Sequence, residues 1–310
     1  MQQITNTILM IRPVAYRMNE ETAVNNYFQK EMNLSDDDIN VRAQNEFDVF
    51  VDKLRAVGIQ VIVESDDLKM DTPDSIFPNN WVSFHENGDV ALYPMFAENR
   101  RRERREEVLI RLENEGFKIE RIIDYTKAEE EGLFLEGTGS LLLDRVNRKV
   151  YCALSPRAYE ELIIKFCEDF EYISVIFTAK QTVNGERLTI YHTNVLMALG
   201  EHVAVICLDA IDNKAEKKNV IQHLKDDGKE IIDITETQMQ KFAGNMLQIK
   251  GANNKNYMVM STVAHNCLNP DQISIIEKYS GIISSDLETI ETCGGGSARC
   301  MMAEIFLPKQ

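Results

Sequence analysis

The feature that most constrains the fold of this 310-residue chain is a repeat of short strand pairs along its length. Apolar and β-branched residues on both sides of a turn predict hairpins. These hairpins lie at residues 81–95, 140–154, 194–208 and 245–260. A last strand at residues 297–307 is expected to pair with the first strand, near residues 7–12. The hairpins recur about every 50 to 58 residues, a period typical of repeat and propeller-like architectures.

An amphipathic helix and a further short strand complete each unit of the repeat. Apolar residues at helical spacing predict helices at 47–57, 104–116, 155–170, 214–227 and 269–279. Short strands are predicted at 60–64, 117–123, 172–177, 230–234 and 281–287. We therefore predict an α/β fold, a five-bladed propeller of pseudo-symmetric ββαβ units, with residues 1–310 as one domain.

An open, doubly wound α/β sheet is the alternative, because it also alternates strands and helices. The hairpins count against it, since that fold connects its parallel strands through helices.

Composition and charge exclude several classes of protein. The 15 glycines and 7 prolines are too few for a collagen or a disordered chain. No apolar run approaches the roughly 20 residues of a membrane span, and the first residues, MQQITNTILMIRP, lack the basic start of a signal peptide. We therefore expect a cytoplasmic protein with no membrane partner. The formal net charge of −16 also disfavours nucleic acid as a partner.

The six cysteines do not indicate disulfides or a metal site. They contain no C-x-x-C pair, and no export signal accompanies them. Without such a pair or a nearby H-x-H, structural zinc is disfavoured. The cysteines are Cys152, Cys167, Cys207, Cys267, Cys293 and Cys300.

The segment ETCGGGSARCMM, residues 291–302, holds a candidate nucleophile. Three glycines allow the backbone to approach a ligand closely or to adopt positive φ. Cys300 follows them, and the neighbouring Arg299 can favour the reactive thiolate. The residues alone leave open a second reading, a glycine-rich turn with Cys300 as a core side chain.

Three other segments hold polar residues beside apolar runs. His192 in YHTN can act as a general acid and base at a strand end, or it can be a packed histidine. Glu136 in LEGTGS can orient a histidine, or it can be a solvated loop carboxylate. Asn79 and Asn80 in FPNNW favour a turn, and their amides can also present donors and acceptors to a planar ligand.

Taken together and in chain order, these segments resemble the motifs of the guanidino-group-modifying enzymes, the pentein superfamily. That superfamily includes arginine deiminases, dimethylarginine hydrolases and glycine amidinotransferase, built on a five-bladed ββαβ propeller. GGGSARC resembles the nucleophile motif, YHTN the H-x-D motif, LEGTGS the E-G-G-D segment and FPNNW the F-x-R-D segment. The resemblance implies that Cys300 is the nucleophile, His192 the general acid and base, and Glu136 the acid that orients the histidine.

Two further matches extend the resemblance to substrate binding. The run FAENRRRER and the tetrapeptide SPRA imply that Arg100 and Arg157 bind a substrate carboxylate. The sequences of these motifs are most similar to those of an amidinotransferase-like subfamily, the citrulline-utilisation hydrolases. The resemblance implies no metal or organic cofactor. It implies a small guanidino or ureido amino acid as the partner, and it leaves open whether the chain forms a homodimer. The expected substrate-binding residues are Asn79, Asn80, Arg100, Arg157, Asn194 and Arg299.

The chain departs from the deiminase pattern at two positions. Asn80 and Asn194 stand where the deiminases have aspartates that bind the guanidinium. A guanidinium has only donors and a positive charge, and burying it without carboxylates is costly. An asparagine offers both a donor and an acceptor, which suits a neutral ureido group such as that of citrulline.

Three functions therefore compete. The first is a hydrolase of a C–N bond in a guanidino or ureido amino acid that uses a covalent cysteine intermediate. The second is an amidinotransferase, in which an amine captures the same intermediate, and a product assay with added amine separates the two. The third is a propeller that binds a ligand without catalysis, for which Cys300 would show no special reactivity towards a thiol probe.

Overall fold

The chain forms a mixed α/β fold of small sheets and helices in a computed structural model that describes residues 2–309. The strands, in chain order, are β1 (Thr7–Arg12), β2 (Gln60–Ser65), β3 (Val82–Phe84), β4 (Asp89–Leu92), β5 (Arg121–Asp124), β6 (Leu142–Asp144), β7 (Lys149–Leu154), β8 (Ile173–Thr178), β9 (Lys180–Val183), β10 (Glu186–Thr189), β11 (Met197–Leu199), β12 (Val203–Ile206), β13 (Glu230–Asp233), β14 (Leu247–Lys250), β15 (Asn256–Ser261), β16 (Gly281–Ser285) and β17 (Ala303–Glu304).

The helices range from single turns to six turns in length. They are α1 (Glu20–Ala23), α2 (Asp36–Ala56), α3 (Glu106–Asn114), α4 (Gly137–Ser140), α5 (Glu160–Asp169), α6 (Thr193–Leu196), α7 (Lys214–Asp226), α8 (Glu236–Met239), α9 (Thr262–Cys267), α10 (Pro270–Tyr279) and α11 (Glu288–Gly294). Short 3-10 turns at Pro78–Asn80 and Ala298–Met301 matter for the site described below. Within residues 2–309, none of the helices is long and apolar enough to cross a membrane.

Five three-stranded sheets share one topology. In each, the first strand is antiparallel to the middle strand, and the third strand is parallel to it. A helix joins the middle strand to the third, as a parallel pair requires. The sheets, in strand order, are β3-β4-β5, β6-β7-β8, β11-β12-β13, β14-β15-β16 and β17-β1-β2.

The last of these sheets joins the two ends of the described chain. β17 pairs antiparallel with β1 through Ile8 with Glu304 and Leu9 with Ala303. This pairing and all four predicted hairpins are confirmed. The open doubly wound sheet is wrong for residues 2–309, because the strands form separate small sheets there.

Local sequence signals explain where the longer helices begin. Ser35 caps α2 by accepting from the backbone N–H of Asp38, and three aspartates lie in the first turn, where the helix dipole favours negative charge. Asn269 and Gln272 form a capping box at the start of α10, with Pro270 in its first turn.

Several regions differ from the sequence prediction. The last strand, predicted over 297–307, is limited to Ala303–Glu304, because Ala298–Met301 forms a 3-10 turn. Helix α2 begins eleven residues before the predicted start at residue 47, because its acidic first turns interrupt the apolar spacing although Ile39 and Ala43 are buried. The hairpin β9–β10 was not predicted. Its turn, Asn184–Gly185, has positive φ at both residues, the conformation that an Asn-Gly pair favours.

The apolar core divides into four clusters of buried side chains that lie between the sheets and their helices. The cluster around β11 and β12 includes Val203, Val205 and Leu224 of α7. A second cluster packs α2 against β1 and extends to Cys300. The core therefore reaches the residues that precede the first strands, and this packing positions the site.

Candidate active site

A small cleft forms where the segments that precede several first strands meet. The turn Pro78–Asn80 precedes β3, α4 precedes β6, α6 precedes β11, and the turn Ala298–Met301 precedes β17. Contacts join α4 to α6 and the turn Pro78–Asn80 to both α4 and the turn Ala298–Met301. The cleft is lined by Asn26, Asp74, Phe77, Asn80, Arg100, Arg157, Tyr191, His192, Gly294, Gly296 and Cys300.

Glu136 and His192 form a buried pair beside the cleft. Nε2 of His192 lies 2.7 Å from Oε2 of Glu136, and both side chains are almost fully buried. Burial opposes ionisation of Glu136, but Arg157, the His192 hydrogen bond and Arg100 together hold its pKa well below the usual range. An ionised carboxylate only accepts. Nε2 of His192 therefore carries the proton in this hydrogen bond, and Nδ1 is left for proton transfer.

The His192 imidazole is neutral in this environment. Burial lowers the pKa of His192 to about 4, although the neighbouring Glu136 carboxylate raises it. A neutral imidazole can accept a proton at neutral pH, as general-base catalysis requires.

Two asparagine amides point at the sulfur of Cys300. Nδ2 of Asn194 lies 3.4 Å from Sγ, and Nδ2 of Asn245 lies 3.2 Å from it. Asn245 also donates to the carbonyl of Asn194 at 2.9 Å and accepts from the backbone N–H of Arg299 at 3.0 Å. The sulfur therefore has two amide N–H donors within hydrogen-bond distance.

Sequence reasoning missed Asn245, although a signal existed. Like Asn80 and Asn194, it lies just before the first strand of a unit. An asparagine at this same position of three repeat units was therefore a sequence signal that Asn245 belongs to the site.

Asn80 lies in the cleft with its amide orientation fixed by Arg100. Nη1 of Arg100 donates to Oδ1 of Asn80 at 2.9 Å, and Nδ2 of Asn80 donates to Oδ1 of Asn79 at 3.1 Å. Because a guanidinium only donates, the amide oxygen must face Arg100. The remaining N–H of Asn80 is therefore a donor for a ligand.

Arg100 and Arg157 line the cleft, but both are held by protein groups. Arg100 donates to Glu103 from Nε and Nη2, to Asn80 from Nη1 and to the carbonyl of Phe77. Arg157 donates to Asn25 from Nε and Nη2, to the carbonyl of Thr22 and, at 3.4 Å, to Glu136. A guanidinium has five N–H groups. In this arrangement neither arginine has a two-donor edge free for a substrate carboxylate.

Three of the predicted binding residues do not line the cleft, although one of them, Asn194, contacts Sγ of Cys300. The Arg299 guanidinium donates to the carbonyl of Met302 and to Glu304, so only its backbone N–H serves the site, through Asn245. Asn79 is buried behind Asn80, and its Nδ2 has no hydrogen-bond partner among the residues that the structure describes.

Asp74 is a second residue that sequence reasoning missed. It lines the cleft and is buried, and its Oδ2 accepts from Asn19 and Thr22. Its Oδ1 has no hydrogen-bond partner within residues 2–309. An unpaired buried carboxylate oxygen is available to a cationic or N–H donor group of a ligand. The surrounding sequence, DTPDSIF, carries no distinctive signal for this role.

Glycines allow the close packing of the cleft. A Cβ at Gly139 would collide with Nδ2 of Asn80 and would lie 2.8 Å from Nδ1 of His192. Gly295 has φ +60°, and a Cβ there would lie 2.6 Å from the Asn26 side chain.

The segment 19–30 covers the cleft. Asn26 donates to the carbonyl of Gly294, and Gln29 donates to the carbonyl of Cys293. The enclosed space is about 10 Å³, which is room for about one water molecule. Within residues 2–309, no group of three or more His, Cys, Asp or Glu side chains could hold a metal ion.

The family profile described as "N,N dimethylarginine dimethylhydrolase, eukaryotic" matches residues 12–307. The chain belongs to this family. Its members are guanidino-modifying enzymes of the pentein superfamily, as the motifs predicted. Members of this family are hydrolases of C–N bonds other than peptide bonds, which is the enzyme class that the motifs predicted. Among curated protein sequences, none matches this chain.

Solved structures share the fold. ArgZ, an arginine dihydrolase from the ornithine–ammonia cycle in cyanobacteria, is 15% identical with a TM-score of 0.73, over 98% of this chain and 41% of that chain. The N-terminal domain of an ArgZ variant, covalently bound to a reaction intermediate, is 16% identical with a TM-score of 0.70, over 97% and 99%. A dimethylarginine dimethylaminohydrolase adduct with S-methyl-L-thiocitrulline is 14% identical with a TM-score of 0.62, over 97% and 100%. This chain thus spans less than half of full-length ArgZ.

Proposed function

We propose that this protein hydrolyses a C–N bond in the guanidino or ureido group of a citrulline- or arginine-like amino acid, through a covalent intermediate on Cys300. The observation that carries the proposal is the cleft itself, where Sγ of Cys300 receives two amide donors and His192 is held by a buried, ionised Glu136. A nucleophile, a base and a group that orients the base are the parts that covalent catalysis needs.

The proposed reaction has two halves. The Cys300 thiol gives its proton to Nδ1 of His192, and Sγ attacks the central carbon of the guanidino or ureido group. The C–N bond to the leaving amine then breaks, and His192 returns the proton to that amine. In the second half, His192 removes a proton from water, the resulting hydroxide attacks the same carbon, and the C–S bond breaks. The proton on His192 then returns to the sulfur, so the enzyme is regenerated.

Asn80 supports a ureido substrate over a guanidinium. Its amide oxygen already accepts from Arg100, so it offers a ligand only an N–H donor. A ureido carbonyl accepts such a bond, whereas a guanidinium has donors only. This preference also supports assignment to the citrulline-utilisation subfamily.

Asp74, Arg100 and Arg157 are proposed to bind the amino acid end of the substrate. The unpaired oxygen of Asp74 suits an α-ammonium group. Each arginine keeps one N–H group for the α-carboxylate, in place of the bidentate contact expected from sequence. The enclosed space is too small for an amino acid, so segment 19–30 has to move when substrate enters.

We further propose that the five sheets are the blades of one closed propeller. β11 contacts both β6 and β14, and β17 contacts β3, so several first strands are neighbours around a common centre. The pairing of β17 with β1 would complete the ring.

The deciding experiment is a product assay with the purified chain, offering L-citrulline and L-arginine separately and measuring ammonia, ornithine and citrulline. We expect ornithine from citrulline, together with ammonia and carbon dioxide from breakdown of the released carbamate, and no turnover by Cys300→Ser. Citrulline formed from arginine would contradict the argument from Asn80. Activity retained in Cys300→Ser would contradict the covalent mechanism, and a product containing an added amine such as glycine would indicate transfer.

A double variant tests the asparagine argument directly. Asn80→Asp with Asn194→Asp places carboxylates at the two positions where the deiminases have aspartates. We expect the ratio of arginine to citrulline turnover to rise at least tenfold. No change in that ratio would count against the argument.

A further inference from the structure

We propose that a second cavity, remote from Cys300, binds a small oxyanion, the carboxylate or phosphate group of a ligand, through Arg145. The cavity has a volume of about 610 Å³ and lies at the turns that follow β3 and β6. Asn80 precedes β3 and His85 follows it, while Ser140 precedes β6 and Arg145 follows it. The cavity therefore lies at the opposite ends of these strands from the active site.

The Arg145 guanidinium is buried without a counter-charge. The residue is 4% exposed, and its side chain makes no hydrogen bond or ion pair with residues 2–309. Its contact is with the ring of Phe306, 3.9 Å from the guanidinium carbon. Buried charges are normally paired, because an unpaired one is costly to desolvate. An unpaired, buried guanidinium at the wall of a large cavity indicates a binding site for an anion, which would supply the missing counter-charge.

Hydrogen bonds to the Gln3 side chain hold the backbone at Arg145 in place. Its N–H donates to Oε1 of Gln3 at 2.8 Å, and Nε2 of Gln3 donates to the carbonyl of Leu143 at 2.9 Å. The arginine is thus held at the cavity wall, which is the preorganisation that a binding site needs.

The neighbouring groups favour an anion close to Arg145. The Arg148 guanidinium, also at the cavity, lies over the ring of Tyr172 at 4.2 Å. His85 stacks on Phe170 at 4.1 Å and is bonded to Ser83 at 2.9 Å. Burial first, and then Arg145 and Arg148, hold the pKa of His85 well below its usual value. His85 is therefore neutral. Arg148 lies 3.8 Å from the Glu171 carboxylate, so the uncompensated positive charge at this cavity is that of Arg145.

Acidic residues also line this cavity and limit the ligand. Among them, Glu168 and Glu171 are exposed. They would repel a polyanion while leaving the buried Arg145 accessible to a single oxyanion. A ligand with one carboxylate or one phosphate group, and an otherwise neutral or cationic body, fits this charge pattern.

The test is calorimetric titration of the full chain with acetate and with inorganic phosphate, at constant ionic strength. We expect saturable binding, weakened at least tenfold by Arg145→Met and changed less than twofold by Arg111→Gln. Arg111 is an exposed arginine on α3, paired with Glu115, and is the matched control. Removing the unpaired buried charge should also leave the melting temperature of the anion-free protein unchanged or higher.

The two anions distinguish the source of the oxyanion. Binding of acetate alone indicates a carboxylate ligand, and binding of phosphate alone indicates a phosphate group. Absence of saturable binding of either anion, or equal binding by Arg145→Met, would overturn the proposal.

A second variant decides the matter if Arg145→Met does not fold. Glu168→Gln with Glu171→Gln changes exposed side chains only, and we expect it to tighten anion binding several-fold at low salt. The gain should disappear at high salt, because exposed charges are screened. Unchanged affinity at low salt would contradict the site.

Discussion

At the scale of single residues, the candidate active site is governed by which buried groups face one another. Glu136 is ionised although buried, because Arg157 and the His192 N–H are close to its oxygens. The same carboxylate fixes which imidazole nitrogen carries the proton. We therefore propose that Glu136 is a positioning residue, which acts on the substrate through His192.

Replacing Glu136 by Gln should lower kcat about 10²-fold or more, with a smaller effect on KM, because the imidazolium formed during the reaction loses its counter-charge. Steady-state kinetics on the substrate found in the product assay provide the measurement. Glu129→Gln is the matched control, because Glu129 also pairs with an arginine, Arg104, outside the cleft. A similar loss of kcat in both variants would indicate a merely structural role for Glu136.

Glu291, which accepts from Ser297 beside the glycine run, should make stability depend on pH. Burial raises the pKa of Glu291 to about 7. A carboxyl with a raised folded-state pKa stabilises the fold when protonated, and that stability is lost as the pH rises through about 7. Glu291→Gln should therefore be more stable than the wild type at pH 8 and about equal at pH 5.

Urea unfolding at the two pH values measures this difference. The exposed Glu288 lies on the same helix, and Glu288→Gln should show no such pH-dependent gain. A gain of equal size at both pH values would mean that packing, and not ionisation, was changed at position 291.

At the scale of secondary-structure elements, the chemistry lies on short elements of three or four residues that precede first strands. The helices α4 and α6 and the turn Ala298–Met301 are each a single turn. Such elements are too short to be stable alone. Their positions depend on the sheets that follow them and on close contacts such as that between Gly139 and His192.

Gly139→Ala should lower kcat at least tenfold, because a Cβ there displaces the His192 ring and the Asn80 amide. Kinetics and thermal unfolding are measured together. Gly281→Ala is the control, since a Cβ at that position also meets a ring, Tyr257 at 3.1 Å, but away from the cleft. It should reduce stability and leave kcat unchanged. An unchanged kcat in Gly139→Ala would mean that the His192 ring is free to shift.

At the scale of the whole molecule, the sheet β17-β1-β2 ties the two ends of the described chain together. Ile305 follows β17, is 2% exposed, and its backbone N–H donates to the carbonyl of Thr7. Because Cys300 lies five residues before Ile305, the pairing also positions the proposed nucleophile.

Ile305→Ala should cost about 2–4 kcal/mol of unfolding free energy, since it leaves a cavity between the chain ends. Ile122→Ala, at a 49% exposed position of β5, should cost less than about 1 kcal/mol. Urea denaturation measures both. Equal losses would show that the packing of the last strand contributes no more than that of an exposed strand position.

The sequence by itself determined the repeat, the strand order and the identity of the chemical groups. Hairpins, helices and third strands follow from periodicity and turn residues, which are local properties. Cys300, His192 and Glu136 were predicted as catalytic residues because each lies in a motif that resembles one of the family's. Only the tertiary structure decided which of the polar residues meet. Asn245 contacts the sulfur of Cys300, Asp74 lines the cleft, and the Arg299 guanidinium lies away from it. These directions and pairings depend on side chains that are distant in the chain.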